Sequence, residues 1–175
     1  MKNMHWKLWV QLTALLISIA VVAPAFSAQD QTEHPDCSYC GMNRTKFAHS
    51  RVYIKYDDDS TMGTCSLHCG AMDMALNIDK TPLAIQVADF QTKQLVDAEK
   101  ATWVVGGSKM GVMTKRAKWA FAERDAAEAF VKQFGGEITD FNTAIKAAFE
   151  DMYEDVQMIR EKRRIKRMKK IKHES

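Results

Sequence analysis

A chain of 175 residues with 25 Lys or Arg, 22 Asp or Glu and a formal charge of +3 suffices for one compact domain with tails. The charge is unevenly placed: residues 157–175 carry nine basic and two acidic side chains, whereas residues 29–156 carry 14 basic and 20 acidic ones, net −6. A mildly acidic body with a basic tail excludes a globally basic nucleic-acid binder, and no nucleic acid is expected among the partners.

Residues 1–28 read as a secretory signal peptide. Lys2 and Lys7 precede a mostly apolar stretch over 8–22, which ends in the small-residue site Ala23-Pro24-Ala25, with Ser27-Ala28 as a second small pair. The alternative is an uncleaved anchor, since residues 8–26 are just long enough to span a bilayer with little tilt. Either reading places the protein outside the cytoplasm, in the periplasm. No cysteine follows the apolar run directly, so lipidation there is not expected. Residues 29–36, polar and containing one proline, read as a flexible lead.

Val52, Ile54 and Tyr56 alternate with Tyr53 and Lys55, which predicts a strand. Asp57-Asp58-Asp59-Ser60 reads as a solvated turn, with a return strand over 61–64. A short helix is expected over 67–77, broken at 79–82. Leu83, Ile85 and Val87 predict a strand ending near Phe90, and further strands are expected at 103–105 and 117–121. Residues 125–134 have helical spacing and stop at Gly135-Gly136. Both blocks run from strands into a helix. The fold class expected is therefore α+β: two small strand-strand-helix units forming one domain over 37–142, followed by a basic C-terminal helix over 143–175. Ile145, Phe149, Met152, Tyr153, Val156 and Ile159 are expected to share one face of that helix. Met72, Met74, Met152 and Met158 lie on expected helices and are assigned to packing, and His34 and His49 are expected to be exposed.

All four cysteines lie in two clusters, Cys37-Ser-Tyr-Cys40-Gly41-Met42 and Cys65-Ser-Leu-His68-Cys69. A C-x2-C knuckle turns the backbone so that two sulfurs converge on one metal, and the following glycine eases that turn. On spacing alone, Cys37, Cys40, Cys65 and either His68 or Cys69 form a closed zinc site. A disulfide framework is the other reading, because the count is even and the compartment is oxidising. Methionine tips the balance toward copper: Met42 follows Cys40 by two, and Met110 and Met113 sit in a glycine-bearing segment, and thioethers bind Cu(I) well and zinc poorly. No catalytic constellation competes, and no enzyme activity is expected.

These residues carry a resemblance to the NosL family of exported, copper-binding nitrous oxide reductase accessory proteins, over roughly residues 37–142. Cys40-Gly41-Met42 resembles the family's Cys-x-Met. Asp97-Ala98 and Trp103-Val104-Val105-Gly106 resemble its DA…YVVGS stretch, Met113 matches the methionine of its GPMG segment, and residues 117–136 resemble its closing AxxFxxxxGG pattern. The resemblance implies an α/β fold of two related units and a Cu(I) site of Cys40, Met42 and Met113. It also implies a metallochaperone that delivers copper to a cuproenzyme such as nitrous oxide reductase, or to an ABC-type maturation complex. Three features depart from the family: the lipobox cysteine is missing, GPMG is replaced by Gly111-Val112-Met113-Thr114, and Cys65, His68 and Cys69 lie outside the familiar copper site. With Cys37, these last three make the first half similar to YHS and TRASH-type heavy-metal domains as well. They form a second tier of candidate ligands, with zinc as the second candidate metal. The basic run 157–175 suggests one more partner, an anionic membrane surface.

Overall fold

The computed structural model describes residues 25–174. The expected signal peptide lies outside the described residues except for residues 25–28, which begin helix α1 (Ala25–Glu33). The flexible lead expected over 29–36 is thus corrected: the chain is helical to Glu33. Asp30 is buried there, and its carboxylate binds the guanidinium groups of Arg44 and Arg51 at 2.8 and 2.9 Å. A polar composition concealed this, because among the described side chains the helix is tied down by the Asp30 ion pair.

The first unit runs β1 (Val52–Tyr56), β2 (Thr61–Thr64), α2 (Leu67–Leu76), β3 (Pro82–Ala88) and β4 (Leu95–Asp97). Its sheet has the order β2-β1-β3-β4. The second runs β5 (Thr102–Val105), β6 (Lys118–Phe121), α3 (Arg124–Phe134) and β7 (Glu137–Thr139), with the order β6-β5-β7. In each unit a hairpin leads into a helix, and the next strand returns antiparallel beside the first. The two units therefore share one topology, as the repeated strand-to-helix pattern predicts. A parallel bridge between Asp89 and Ala120 joins the sheets, and the Asp89 carboxylate accepts from the Ala122 amide at 3.0 Å. Helices α4 (Phe141–Glu150) and α5 (Met152–Glu174) complete the chain.

Strand β5 is buried on both faces, and its period of two separates two cores. Trp103 faces the first core, with Ile54, Leu67, Val87 and Phe141. Val104 faces the second, with Trp119, Phe121, Phe130 and the buried thiols Cys37, Cys65 and Cys69. Ala144 and Ala148 of α4 belong to the first core, so packing continues past residue 142. Strands β4 and β7 have three residues each, too few to show a period in the sequence. The single helix expected from residue 143 is two helices, parted at Asp151, whose carboxylate accepts from Arg116 at 2.8 Å and Lys118 at 2.6 Å. No helix among the described residues is long and apolar enough to cross a membrane.

Candidate metal centre

The knuckle is a tight loop. The Cys37 amide donates to the Met42 carbonyl at 2.9 Å, and the Gly41 amide donates to the Cys37 carbonyl at 2.9 Å. Gly41 has φ of +71°, a conformation that a side chain would disfavour. Between the two cysteines, the Tyr39 hydroxyl donates to the buried Asp73 carboxylate at 2.6 Å and so pins the knuckle to α2. The second pair flanks the start of α2: Cys65 follows β2, Ser66 is the N-cap, and Cys69 lies one turn on, on the same side.

The four sulfurs converge. Among the described residues, the Sγ atoms of Cys37, Cys40, Cys65 and Cys69 all lie within 4.8 Å of one another. Cys40 and Cys65 are 3.4 Å apart and Cys65 and Cys69 are 3.8 Å apart. These separations belong to free thiols, not to a disulfide of about 2.05 Å. They match the donor spacing of a metal: four sulfurs about 2.3 Å from a tetrahedral ion stand about 3.8 Å apart. Hydrogen bonds from the other three thiols hold Cys37 far below the usual thiol range. Hydrogen bonds to Cys37, Cys40 and Cys65, together with burial, push Cys69 far above it. The thiols thus share protons among themselves, and a bound cation would displace those protons. Cys37, Cys65 and Cys69 are buried, whereas Cys40 is only partly so.

Cys40 opens onto a cavity of about 150 Å³ that His68, Cys69, Met72 and Met113 also line, and that α5 roofs with Ile159 and Arg163. The Arg163 guanidinium donates to the Cys40 carbonyl at 3.1 Å. Met113 also lines a neighbouring cavity with Met42, Met110, Met158 and His49. Its φ of +60° is unusual for a residue with a side chain, and so marks a constrained position beside the thiols. His68 is buried, with Nδ1 3.3 Å from Asp155 Oδ2. Burial holds its imidazole below the usual histidine range, with Asp155 opposing.

The structure therefore places the four cysteines in one cluster, Met113 on a cavity shared with Cys40, and Met42 on the adjoining cavity. His68 lies beside the cluster and outside it, directed at Asp155. Two methionines assigned to packing, Met72 and Met158, line the cavities instead. Met72 follows Cys69 by three on one helix, a spacing legible in the sequence. Asp155 and Arg163 carried no local signal, because they reach the site from α5. His34 and His49, expected to be exposed, are half-buried. His34 contacts the Thr61 hydroxyl at 2.9 Å, and the His49 ring lies 5.5 Å from that of Trp119. The acidic turn at 57–59 is solvated as expected, with Asp58 paired to Lys80 at 2.8 Å.

Comparison with known proteins places this geometry in context. A crystal structure of the copper chaperone NosL from Shewanella denitrificans is similar with a TM-score of 0.48 and 22% identity, over 61% of this chain and 87% of that one. The HTH-type transcriptional repressor CutR of Bacillus subtilis (strain 168) is 33% identical over 127 residues, which are 71% of this chain. The chain spans 62% of the length of that relative. The NosL family model matches residues 28–149, a segment that holds both cysteine clusters, both sheets and α4 and ends just short of α5. On that match, the chain belongs to the NosL family.

Proposed function

We propose that the protein is an exported Cu(I) carrier that takes the ion at its thiol cluster and passes it to a client cuproenzyme or to that enzyme's maturation machinery. The observation that carries this reading is the asymmetry of the cluster: three of its thiols are buried, while partly exposed Cys40 faces a cavity lined by thioethers. Soft sulfur donors select Cu(I), and thioethers favour it over zinc. Membership of the NosL family supports the same ion. Cys40 with Met42 and Met113 forms the exchange edge, where a partner's sulfur can replace one ligand at a time. The buried set Cys37, Cys65 and Cys69 anchors the ion from behind. Nitrous oxide reductase is the proposed client, the periplasm the proposed location, and the exposed basic part of α5 a proposed contact with anionic lipid.

The test is transfer. Cu(I)-loaded mature chain is mixed with a methionine- and cysteine-containing acceptor peptide, and the partition of copper is followed over time. Rapid, reversible exchange that slows in Cys40→Ser is expected; copper or zinc that never leaves the wild-type chain contradicts the reading. One observation favours a second reading, a zinc-stabilised interaction module: four convergent thiols, three of them buried, form the donor set of a closed structural zinc site. In that case chelation unfolds the chain and no metal passes to the acceptor.

A further inference from the structure

The cavity beside the thiol cluster holds a group that the four-thiol site does not use. His68 is 1% exposed and lines this cavity, and its Nε2 has no hydrogen-bond partner. A buried ring nitrogen without a partner is rare in folded proteins and points to a missing ligand. The other ring nitrogen, Nδ1, stands 3.3 Å from Asp155 Oδ2, within ion-pair reach but not aligned as a hydrogen bond. A carboxylate behind one ring nitrogen is the arrangement that orients a metal-binding histidine and raises its basicity. Asp155 is itself fixed, because its Oδ1 accepts from the Lys115 amide at 2.9 Å. Lys115 lies two residues after Met113, so one carboxylate stands beside His68 and is bonded to the loop that presents a thioether to the same cavity. Asp155 lies beyond residues 28–149, the segment matched by the family, so this orienting group is supplied by α5.

We propose that this cavity is a second metal position, in which Cu(I) is held by His68 Nε2 with the thioethers of Met72 and Met113, next to the four-thiol cluster and reached through Cys40. The inference rests on the copper reading above. Handover is ligand exchange: the Cys40–copper bond breaks as the copper–Nε2 bond forms, each electron pair stays with its ligand atom, and copper remains Cu(I). The donors here are neutral, whereas the cluster binds through thiolates, so the second position is the weaker one. The Arg163 guanidinium on its roof weakens it further. A weak neutral-donor position beside a strong anionic one is where a departing ion would pause.

The experiment loads the mature chain with one and then two equivalents of Cu(I) supplied from a colorimetric Cu(I) chelator. Copper K-edge absorption and the ¹⁵N resonances of labelled histidine are recorded at each step. Sulfur ligation alone is expected at the first equivalent, and a nitrogen ligand with a shifted His68 Nε2 resonance at the second. His68→Ala should keep the first equivalent and lose the second. Asp155→Asn should weaken the second about 10- to 100-fold and leave the first unchanged. Sulfur-only ligation of the wild type at both loadings, or His68→Ala binding two equivalents like the wild type, overturns the proposal and leaves the copper reading intact. Should His68→Ala not fold, the wild-type nitrogen resonance and Asp155→Asn decide. Failure of the wild type to take up even the first equivalent overturns the copper reading and this proposal together.

Discussion

Two buried polar groups in this molecule are built in opposite ways. Around Asp30 every demand is met. Arg44 donates to the Asp30 carboxylate and to the carbonyls of Asp30, His34, Val52 and Thr64. Arg51 donates to the same carboxylate and to the carbonyls of Ala48 and Lys93. Around His68 and Asp155, both equally inaccessible, three atoms have no hydrogen-bond partner: His68 Nδ1, His68 Nε2 and Asp155 Oδ2. The first group ties α1, the segment after the knuckle and β1 into one body. The second sits over the thiols with capacity to spare. Polar groups that fold a chain are satisfied within the fold, whereas groups that serve a ligand are satisfied by it.

Mutation can break this contrast. Asp30→Asn leaves two buried guanidinium groups without their carboxylate and should cost about 3–5 kcal/mol of stability, read from urea unfolding of the metal-free chain. Asp155→Asn can keep the Oδ1 bond to the Lys115 amide and changes only the Oδ2 side, which makes no hydrogen bond, so it should cost about 1 kcal/mol or less. Equal losses from the two substitutions would show that His68 and Asp155 are as structural as the Asp30 group, and the contrast would be gone.

Acid sharpens the comparison by probing two further histidines, His34 at the edge of the Asp30 group and His49 against Trp119. Burial holds His34 and His49 below the usual histidine range, with Glu33 partly offsetting this at His34. Below about pH 6.5 the unfolded chain therefore binds more protons than the folded one, and stability falls as pH falls from there toward the folded-state values. The slope is at most about 1.4 kcal/mol per pH unit for each histidine. Thermal melts at pH 7.5 and 5.5 should show the loss, and His49→Phe should reduce it; a midpoint that rises on acidification contradicts the sign. The smallest effect belongs to the tail. The side chains of α5 from Glu161 to Lys172 are exposed, so a chain ending at Arg164 should keep its stability within about 0.5 kcal/mol. That chain should also lose salt-sensitive sedimentation with anionic vesicles. Equal sedimentation of the long and short chains removes the membrane contact.

Much of the scaffold was legible because its signals are local. Val52, Ile54 and Tyr56 alternate and form β1; Gly135 and Gly136 stop α3 with φ of +72° and +104°. The convergence of the cysteines was legible as two clusters with metal-ligand spacing. Their union in one four-ligand site was one reading of that spacing, but the choice of Cys69 over His68 as fourth member was not legible, because it depends on packing across the fold such as the docking of Tyr39 onto Asp73. Helix α1 was hidden because the contact that ties it down is the ion pair of one carboxylate with two distant arginines. The roof of the site was hidden for a related reason: Asp155 and Arg163 lie in a segment whose sequence reads as a charged, solvated helix, and only tertiary packing turns its N-terminal half toward the thiols.

The central claim is that the four thiols with their thioether edge form an exchangeable Cu(I) site. Parallel titrations of the mature chain with Cu(I) and Zn(II), each against a calibrated competing chelator, test it most directly. The account predicts that Cu(I) displaces bound zinc, and that Cys40→Ser weakens Cu(I) binding by more than about 100-fold, beyond the 10- to 100-fold cost of losing an outer-shell partner. Zinc retained in the presence of excess Cu(I), with Cu(I) affinity unchanged in Cys40→Ser, would contradict it.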